Sequence, residues 1–487
     1  MSLADLQALS PLLAIACASL VLLMIAAFLQ SHTAVVLLTL AGNAVALALI
    51  PPAAQLSPHP VGALLMIDRY ALLYMALIFA ACGVVTILSF DYLEKYQLKR
   101  DEYYILLLLA TMGSAVLVAS THFITFFLGL ELLTVSLYVM IAYVFRKEHS
   151  LEGALKYLIL AGASSAFLLF GMALIYAELG TMQFSSLAAR IAEEAGYRQV
   201  LVLAGTALML TGVGFKLAVA PFHMWTPDVY QGAPAPVTAF VATVSKGAVV
   251  GLLVRYLIAF EVIRTGSAFV AISVIAVASM IVGNLLALLQ ENVKRILAYS
   301  SIAHLGYLLV GVLAGGAHAV EAVTFYLVAY FASTLGAFGL IGFLSTSERE
   351  TDTLEDFRGL YSRRPWVAAG FTTMLLSLTG IPFTAGFLGK FFVIAAGVNS
   401  DLWFLVLMLA LNSAIGLFYY LRIIIVMYSA QPVADDGGAS PTLMERSASA
   451  PAGATLAALC LAVVGLGIYP KPVIALIQTA ISALLYE

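Results

Sequence analysis

Charge is what this chain has least of: its 23 Lys and Arg and 26 Asp and Glu are 10% of 487 residues, against roughly a quarter in an ordinary soluble domain. With 63% hydrophobic residues there is too little polar surface to coat a water-soluble fold. Cysteine is nearly absent. Cys17, Cys82 and Cys460 stand singly in apolar runs, with no second Cys or His at metal-ligand spacing, so neither a disulfide framework nor an iron–sulfur or zinc site is implied. No glycine-rich dinucleotide fingerprint is present, and no basic patch interleaves with aromatics, so nucleic acid is not an expected partner. The runs also lack the alternation over about ten residues that marks a membrane β-barrel. No Lys or Arg precedes the first apolar run near Leu9 and no small-residue cleavage site follows it, which reads as a retained helix and not a signal peptide.

What is present is length of apolar sequence. Runs of about 20 apolar residues, enough to cross a hydrocarbon core about 30 Å thick, follow one another almost from end to end. Backbone groups in lipid must be satisfied within the segment, so the fold class is all-α and polytopic, with about fourteen transmembrane helices. They fall near residues 8–30, 33–54, 68–90, 103–120, 121–144, 156–179, 200–226, 235–260, 267–290, 296–315, 321–345, 365–397, 402–429 and 452–470. With that count, one side holds Lys95, Lys99, Arg100, Arg146, Lys147, Lys156, Lys294, Arg295, Arg349, Arg358, Arg363, Arg364 and Arg446, and the other only Arg69, Arg190, Arg198, Arg264 and Lys471. The bias puts both termini on the outer face of the membrane. Residues 345–364 and 430–451 read as surface connections. The tail from Lys471 is left open between continuing the last helix and lying at the interface.

Six ionisable residues fall inside these spans or near their ends: Glu131, Lys216, Lys246, Arg255, Lys390 and Arg422. Such a group costs about 2.5–3.5 kcal/mol at the bilayer centre on insertion scales, and marks function by default. Arg255 and Arg422, near helix ends, are expected to snorkel to the headgroups. The other four lie too deep for that. Glu131 shares a helical face with Thr134 and Tyr138, at i+3 and i+7. Lys216 is followed by Pro221, which cannot donate to the carbonyl of Leu217 and so breaks the helix. Lys390 belongs to a second interrupted run containing Gly380, Pro382, Gly386 and Gly389. Irregular backbone at membrane depth is tolerated where it lines a polar cavity. Lys246 lies mid-helix after Pro234-Ala235-Pro236. An amine in that setting can be switched, because burial disfavours the charged form and a nearby carboxylate favours it. His223 and His304 are candidate relays near neutral pH. His32, His59, His122, His149 and His318 fall at helix ends or loops and read as solvated, and Ser300 and Ser301 read as satisfying their own helix backbone. The bland alternative is a set of ion pairs that only hold helices together.

Three strings are specific: Phe215-Lys216 through Pro221-Phe222-His223-Met224-Trp225 to Val229-Tyr230-Gln231-Gly232-Ala233-Pro234-Ala235-Pro236; Val293-Lys294-Arg295 with Ala298-Tyr299-Ser300-Ser301-Ile302-Ala303-His304-Leu305-Gly306-Tyr307; and Gly380-Ile381-Pro382 with Gly389-Lys390-Phe391. With them the chain resembles the antiporter-like subunits of respiratory complex I over nearly its whole length. The resemblance implies a proton-translocating membrane-arm subunit of NADH:quinone oxidoreductase in the bacterial inner membrane. Such a subunit has no cofactor or metal of its own and is driven by redox chemistry in other subunits. Its implied partners are the other membrane-arm subunits, neighbouring antiporter-like subunits among them, and the lipid bilayer. The implied proton-transfer residues are a Glu131–Lys216 pair, a central Lys246 and a terminal Lys390 near the outward half-channel. The implied fold has two inverted five-helix repeats, residues 103–260 (helices 4–8) and 267–429 (helices 9–13), each with a broken helix. Three helices in 1–102 precede them, and a C-terminal helix and tail in 452–487 follow. Lysine precedes proline in one broken helix and follows it in the other, so the repeat is not legible residue by residue. A sister subunit carries glutamate in place of the terminal lysine, so Lys390→Glu is expected to retain part of the pumping and Lys390→Ala to lose most of it. The competing class is a subunit of an Mrp-type cation/proton antiporter with the same fold. A passive membrane scaffold would leave four buried charges without a role.

Overall fold

A computed structural model describes residues 2–26, 28, 31–96, 101–144, 148–193, 200–259, 266–346, 350–430 and 449–485. Lys99, Arg100, Arg146, Lys147, Arg198, Arg264, Arg349 and Arg446, all counted in the charge bias, lie outside the described residues, as does most of 430–451. The chain opens with α1 (Leu3–Ala8), α2 (Ser10–Ala26), α3 (His32–Ala48) and α4 (Ile50–Ala54), then a hairpin of β1 (His59–Val61) antiparallel to β2 (Leu65–Ile67). Ser2 and Asp5 cap α1 reciprocally. His59 bonds Asp5 at 2.8 Å, and that hydrogen bond is the main cause holding the Asp5 carboxyl down to about 2. His32 is likewise not solvated: it is buried, bonds the Tyr104 hydroxyl at 3.0 Å and stacks on Phe90.

There follow α5 (Arg69–Tyr96), α6 (Asp101–Ala119), α7 (Phe123–Ile141), α8 (Glu148–Leu179), α9 (Phe184–Glu193), α10 (Val200–Leu217), α11 (Thr226–Gly232), α12 (Ala235–Phe240), a π-helical turn at Val241–Ser245 and α13 (Lys246–Ala259). The rest is α14 (Ser267–Leu288), α15 (Val293–Ala314), α16 (Gly316–Leu344), α17 (Leu360–Arg363), α18 (Pro365–Thr379), α19 (Ala385–Asn399), α20 (Trp403–Tyr428), α21 (Ala450–Ile468) and α22 (Lys471–Leu485). Among the described residues 12 helices are long and apolar enough to cross a membrane. Two expected spans take other forms: 8–30 is the 17-residue α2, and 365–397 is the half-length pair α18 and α19. Helix α9 was not expected. It buries Phe184, Leu187 and Ile191, an i, i+3, i+7 stripe too short to announce itself as a span. The tail forms the separate helix α22, which packs on α5 and α16.

One corner occurs twice. His122 caps α7 and bridges to Gln183, with Phe123 N–H on Met182 O (3.0 Å) and Phe184 N–H on Thr121 O (2.9 Å). Asn292 caps α15 and bridges to Thr353, with Val293 N–H on Asp352 O (2.6 Å) and Leu354 N–H on Glu291 O (3.0 Å). His122 and Asn292 are 170 residues apart, and so are Gln183 and Thr353. The close helix crossings keep the same spacing. A Cβ at Gly113 would meet Leu133 N at 2.6 Å and Gly129 O at 2.7 Å; at Gly283 it would meet Ala303 N at 2.6 Å and Tyr299 O at 2.7 Å. Only glycine lets the two backbones approach so closely.

Arg255 does not snorkel. It is 7% exposed and grips Asp68 with both Nη1 and Nη2 (2.7 and 2.8 Å), while Nε donates to Val118 O. Asp68 also caps α5 by accepting from Ala71 N–H. Arg422 lies near its helix end as expected but donates to the carbonyls of Leu288 and Gln290 at the end of α14. Removing one partner of a buried ion pair costs about 3–5 kcal/mol. Asp68→Ala is therefore expected to lower the yield of folded chain in membranes and its unfolding temperature in detergent, with Asp68→Asn less damaging because its amide oxygen still serves Ala71. Equal stability of Asp68→Ala and the parent chain would show that the pair contributes nothing.

Candidate functional site

The lysine-bearing breaks have local causes. Helix α10 stops at Leu217 because Ala218 turns left-handed (φ 59°) ahead of Pro221, which has no N–H to give. The freed groups are partly taken up: Val219 N–H returns to Gly214 O, and the Trp225 indole donates to Phe215 O at 3.0 Å. Helix α18 stops at Thr379 with Gly380 in the left-handed region (φ 88°) as its cap. Gly386 lies against the Ser377 carbonyl, where a Cβ has no room.

Lys216, Lys246 and Lys390 are 2%, 1% and 7% exposed, yet none has a carboxylate in salt-bridge contact among the described residues; Glu131 lies within electrostatic reach of Lys216. Lys216 Nζ donates to Thr134 Oγ1 on α7 and, at 3.5 Å, approaches the Tyr157 hydroxyl on α8, whose ring it overlies. Glu131, half-buried one turn before Thr134, accepts from the Ser165 hydroxyl instead. The Glu131–Lys216 pair implied by the resemblance is therefore not a direct contact here; the two act on each other through space, and the Lys216 hydrogen bond goes to Thr134, one turn on from Glu131. Lys246 follows the π-helical turn, a helical irregularity frequent at functional sites, in a helix buried on all sides. Its Nζ donates to Ser301 Oγ at 2.6 Å and lies 5.3 Å from the Tyr230 ring centre. Lys390 Nζ donates to Thr379 O (2.7 Å) across its own break and to Ser413 Oγ on α20 (2.9 Å), over the Tyr307 ring.

Helix α15 joins the second and third lysines. Ser301 Oγ accepts from Lys246 and from the Tyr330 hydroxyl (2.9 Å), which leaves its own O–H for the Tyr230 oxygen (3.3 Å). Ser300 bonds Tyr420, which bonds His304 Nε2 at 3.2 Å, and His304 Nδ1 meets the Tyr326 hydroxyl at 2.6 Å. The two serines are thus not spent on their own helix, contrary to expectation. His304 packs among Tyr307, Tyr326 and Tyr330, within electrostatic reach of both Lys246 and Lys390. His223 stays apart: it is buried in the α10–α11 break and its Nδ1 has no partner among the described residues. The tyrosines of α8, α11, α16 and α20 were missed. Tyr326 and Tyr330, at i and i+4, were the available signal.

The 170-residue spacing gives these contacts a register. Ser301 stands where Glu131 stands, and His304 where Thr134 stands. Lys216 touches Thr134 on α7, the helix that His122 caps, whereas Lys246 touches Ser301 on α15, the helix that Asn292 caps. What the arrangement can do chemically is pass protons between amines through hydroxyls and an imidazole, groups that both donate and accept.

Residues 120–416 match the family model described as NADH:quinone oxidoreductase/Mrp antiporter, TM. The chain is 50% identical over 489 residues to NADH-quinone oxidoreductase subunit N of Nitrosospira multiformis, covering 98% of this chain and 96% of the relative. Among solved structures, a chain of respiratory complex I from Thermus thermophilus superposes with a TM-score of 0.80 at 31% identity, over 96% of this chain and 98% of that one. A chain of the Mrp complex from Dietzia sp. superposes with a TM-score of 0.85 over 100% and 98%, but at 20% identity it shares the fold alone.

Proposed function

Because the chain belongs to the NADH:quinone oxidoreductase/Mrp antiporter membrane family, we propose that it is a proton-translocating membrane-arm subunit of a bacterial NADH:quinone oxidoreductase, the counterpart of subunit N. The observation that carries this is the contrast among its buried cations. Arg255 is neutralised by a carboxylate, whereas Lys216, Lys246 and Lys390 rest on hydroxyls and a carbonyl. A buried cation that serves structure is paired directly with an anion; an amine with no carboxylate in contact suits a site that is charged and discharged in turn. Protons then pass along Glu131, Lys216, Lys246 and Lys390, with His304 as relay between the last two and His223 outside the line. The units 103–260 and 267–429 act as inverted repeats, since five crossings separate equivalent corners and an odd number reverses direction.

In this reading the chain lies in the inner membrane with both termini outside, holds no cofactor or redox centre, and takes its energy from the other subunits. Glu131 supports a neighbouring subunit against α7: it is half-exposed between the outward Leu128 and Val135, a place where a carboxyl is not left to lipid. The Mrp-type antiporter reading has a likeness at 20% identity against one at 50% for subunit N. The test is NADH-driven proton uptake by inverted membrane vesicles. Glu131→Ala and Lys216→Ala are each expected to lower both uptake and quinone reductase turnover about tenfold while the complex stays assembled. Full activity in both variants would remove these residues from the path.

A further inference from the structure

Lys294 and Glu350 form a buried ion pair that the proton path does not use. Lys294 is fully buried, and its three N–H donors go to Glu350 Oε2 (2.8 Å), Ala233 O (2.6 Å) and Gln231 O (3.0 Å). Glu350 Oε1 accepts from the Tyr92 hydroxyl (2.7 Å) and from the N–H of Ala235 (2.9 Å), the first residue of α12. Four segments meet there: α5, the α11–α12 link, the start of α15 and the chain before Leu354.

The corresponding corner of the first unit does without such a pair. The residues 170 places earlier are Ile124 and Gly180, yet that corner closes with the same two backbone bonds. There the Arg190 guanidinium donates to Leu179 O beside Gly180 and no carboxylate is used among the described residues, so an ion pair is not needed to close the corner, and burying one carries a desolvation cost that apolar packing avoids. What is particular to the second corner is its neighbours. Ala235 begins the helix that carries Lys246, and Lys294 lies two turns before Ser301 on α15, about 10 Å along the axis. With every lysine donor filled and both carboxylate oxygens bonded, the pair is built to hold position.

We propose that Glu350 and Lys294 are a positioning latch that fixes the Lys246 helix against α15 and thereby sets the Lys246–Ser301 contact. This rests on Lys246 being a proton carrier. The experiment uses inverted vesicles containing the assembled complex and measures proton uptake per NADH oxidised. Glu350→Ala is expected to lower that ratio about tenfold, as sub-ångström misplacement of a reacting pair does. The paired variant Lys294→Gln/Glu350→Gln, in which the amide oxygen at position 350 still accepts from Tyr92 and Ala235 while its NH2 donates to the amide oxygen at position 294, restores most of it. The double variant Glu350→Ala/Ser301→Ala is expected to be no worse than Ser301→Ala alone, because both act on one contact. If Glu350→Ala does not assemble, Glu350→Asp replaces it in the cycle. The paired glutamine variant falling as far as Glu350→Ala would make the carboxylate a carrier and overturn the latch, and additive losses would overturn its action through Ser301. Lys246→Ala, run alongside, separates the two ideas. If it pumps normally the carrier reading fails, and if it does not while Glu350→Ala pumps fully, only the latch fails.

Discussion

Replacing Lys246 by alanine is expected to remove nearly all NADH-driven proton uptake, and replacing it by arginine almost as much, about a hundredfold in each case with the complex assembled. Lys246 reaches Ser301 on α15 at 2.6 Å and is the one amine that does so among the described residues; the Tyr230 hydroxyl, which also meets Ser301, does not take up a proton as an amine does. Arginine keeps the charge but stays protonated, and so cannot hand a proton on. It is also longer and forked, in a helix with no free surface where Gly247 already lies against the Phe331 ring. The measurement is uptake normalised to assembled complex. An arginine variant that pumps like the parent, beside an alanine variant that does not, would make Lys246 a fixed charge.

For Lys390 the contacts favour a different ordering of variants from the one the resemblance implies. Glutamate at the equivalent place in a sister subunit suggested that Lys390→Glu would keep part of the pumping and Lys390→Ala lose most of it. Here Nζ donates to Thr379 O at the carbonyl end of α18, where the helix dipole amounts to about half a negative charge. A carboxylate at that point faces a carbonyl it repels, with only Ser413 left to donate to it. Both variants are therefore expected to lose pumping by about tenfold or more, Lys390→Glu further than Lys390→Ala. A glutamate variant that outpumps the alanine variant would restore the ordering that the resemblance implies.

Much of the site was legible. The four deep charges, both helix breaks and His304 all stand in the sequence, because an ionisable residue or a proline in an apolar run departs from a uniform background. Partners were not legible. Arg255 was assigned to the headgroups because its carboxylate lies 187 residues away, at the foot of another helix. Ser300 and Ser301 were assigned to their own backbone because the tyrosines they meet come from α11, α16 and α20. Glu131 and Lys216 were paired by resemblance, and Thr134, which takes the Lys216 hydrogen bond, was seen only as a face-mate of Glu131.

The sequence by itself determined that the chain crosses a membrane as helices, where it does so, and which charges are too deep to reach water. Those are local properties: the cost of placing a segment in lipid is set by its own length and composition, and a proline breaks the helix it belongs to. Only the tertiary structure decided which buried cations meet a carboxylate and which rest on hydroxyls, that Ser301 occupies the place of Glu131, and that Lys294 and Glu350 meet α5 and the α11–α12 link. A buried charge is satisfied by whatever packing brings within about 3 Å of it. That depends on helices distant in sequence meeting at a particular rotation, which no single segment encodes.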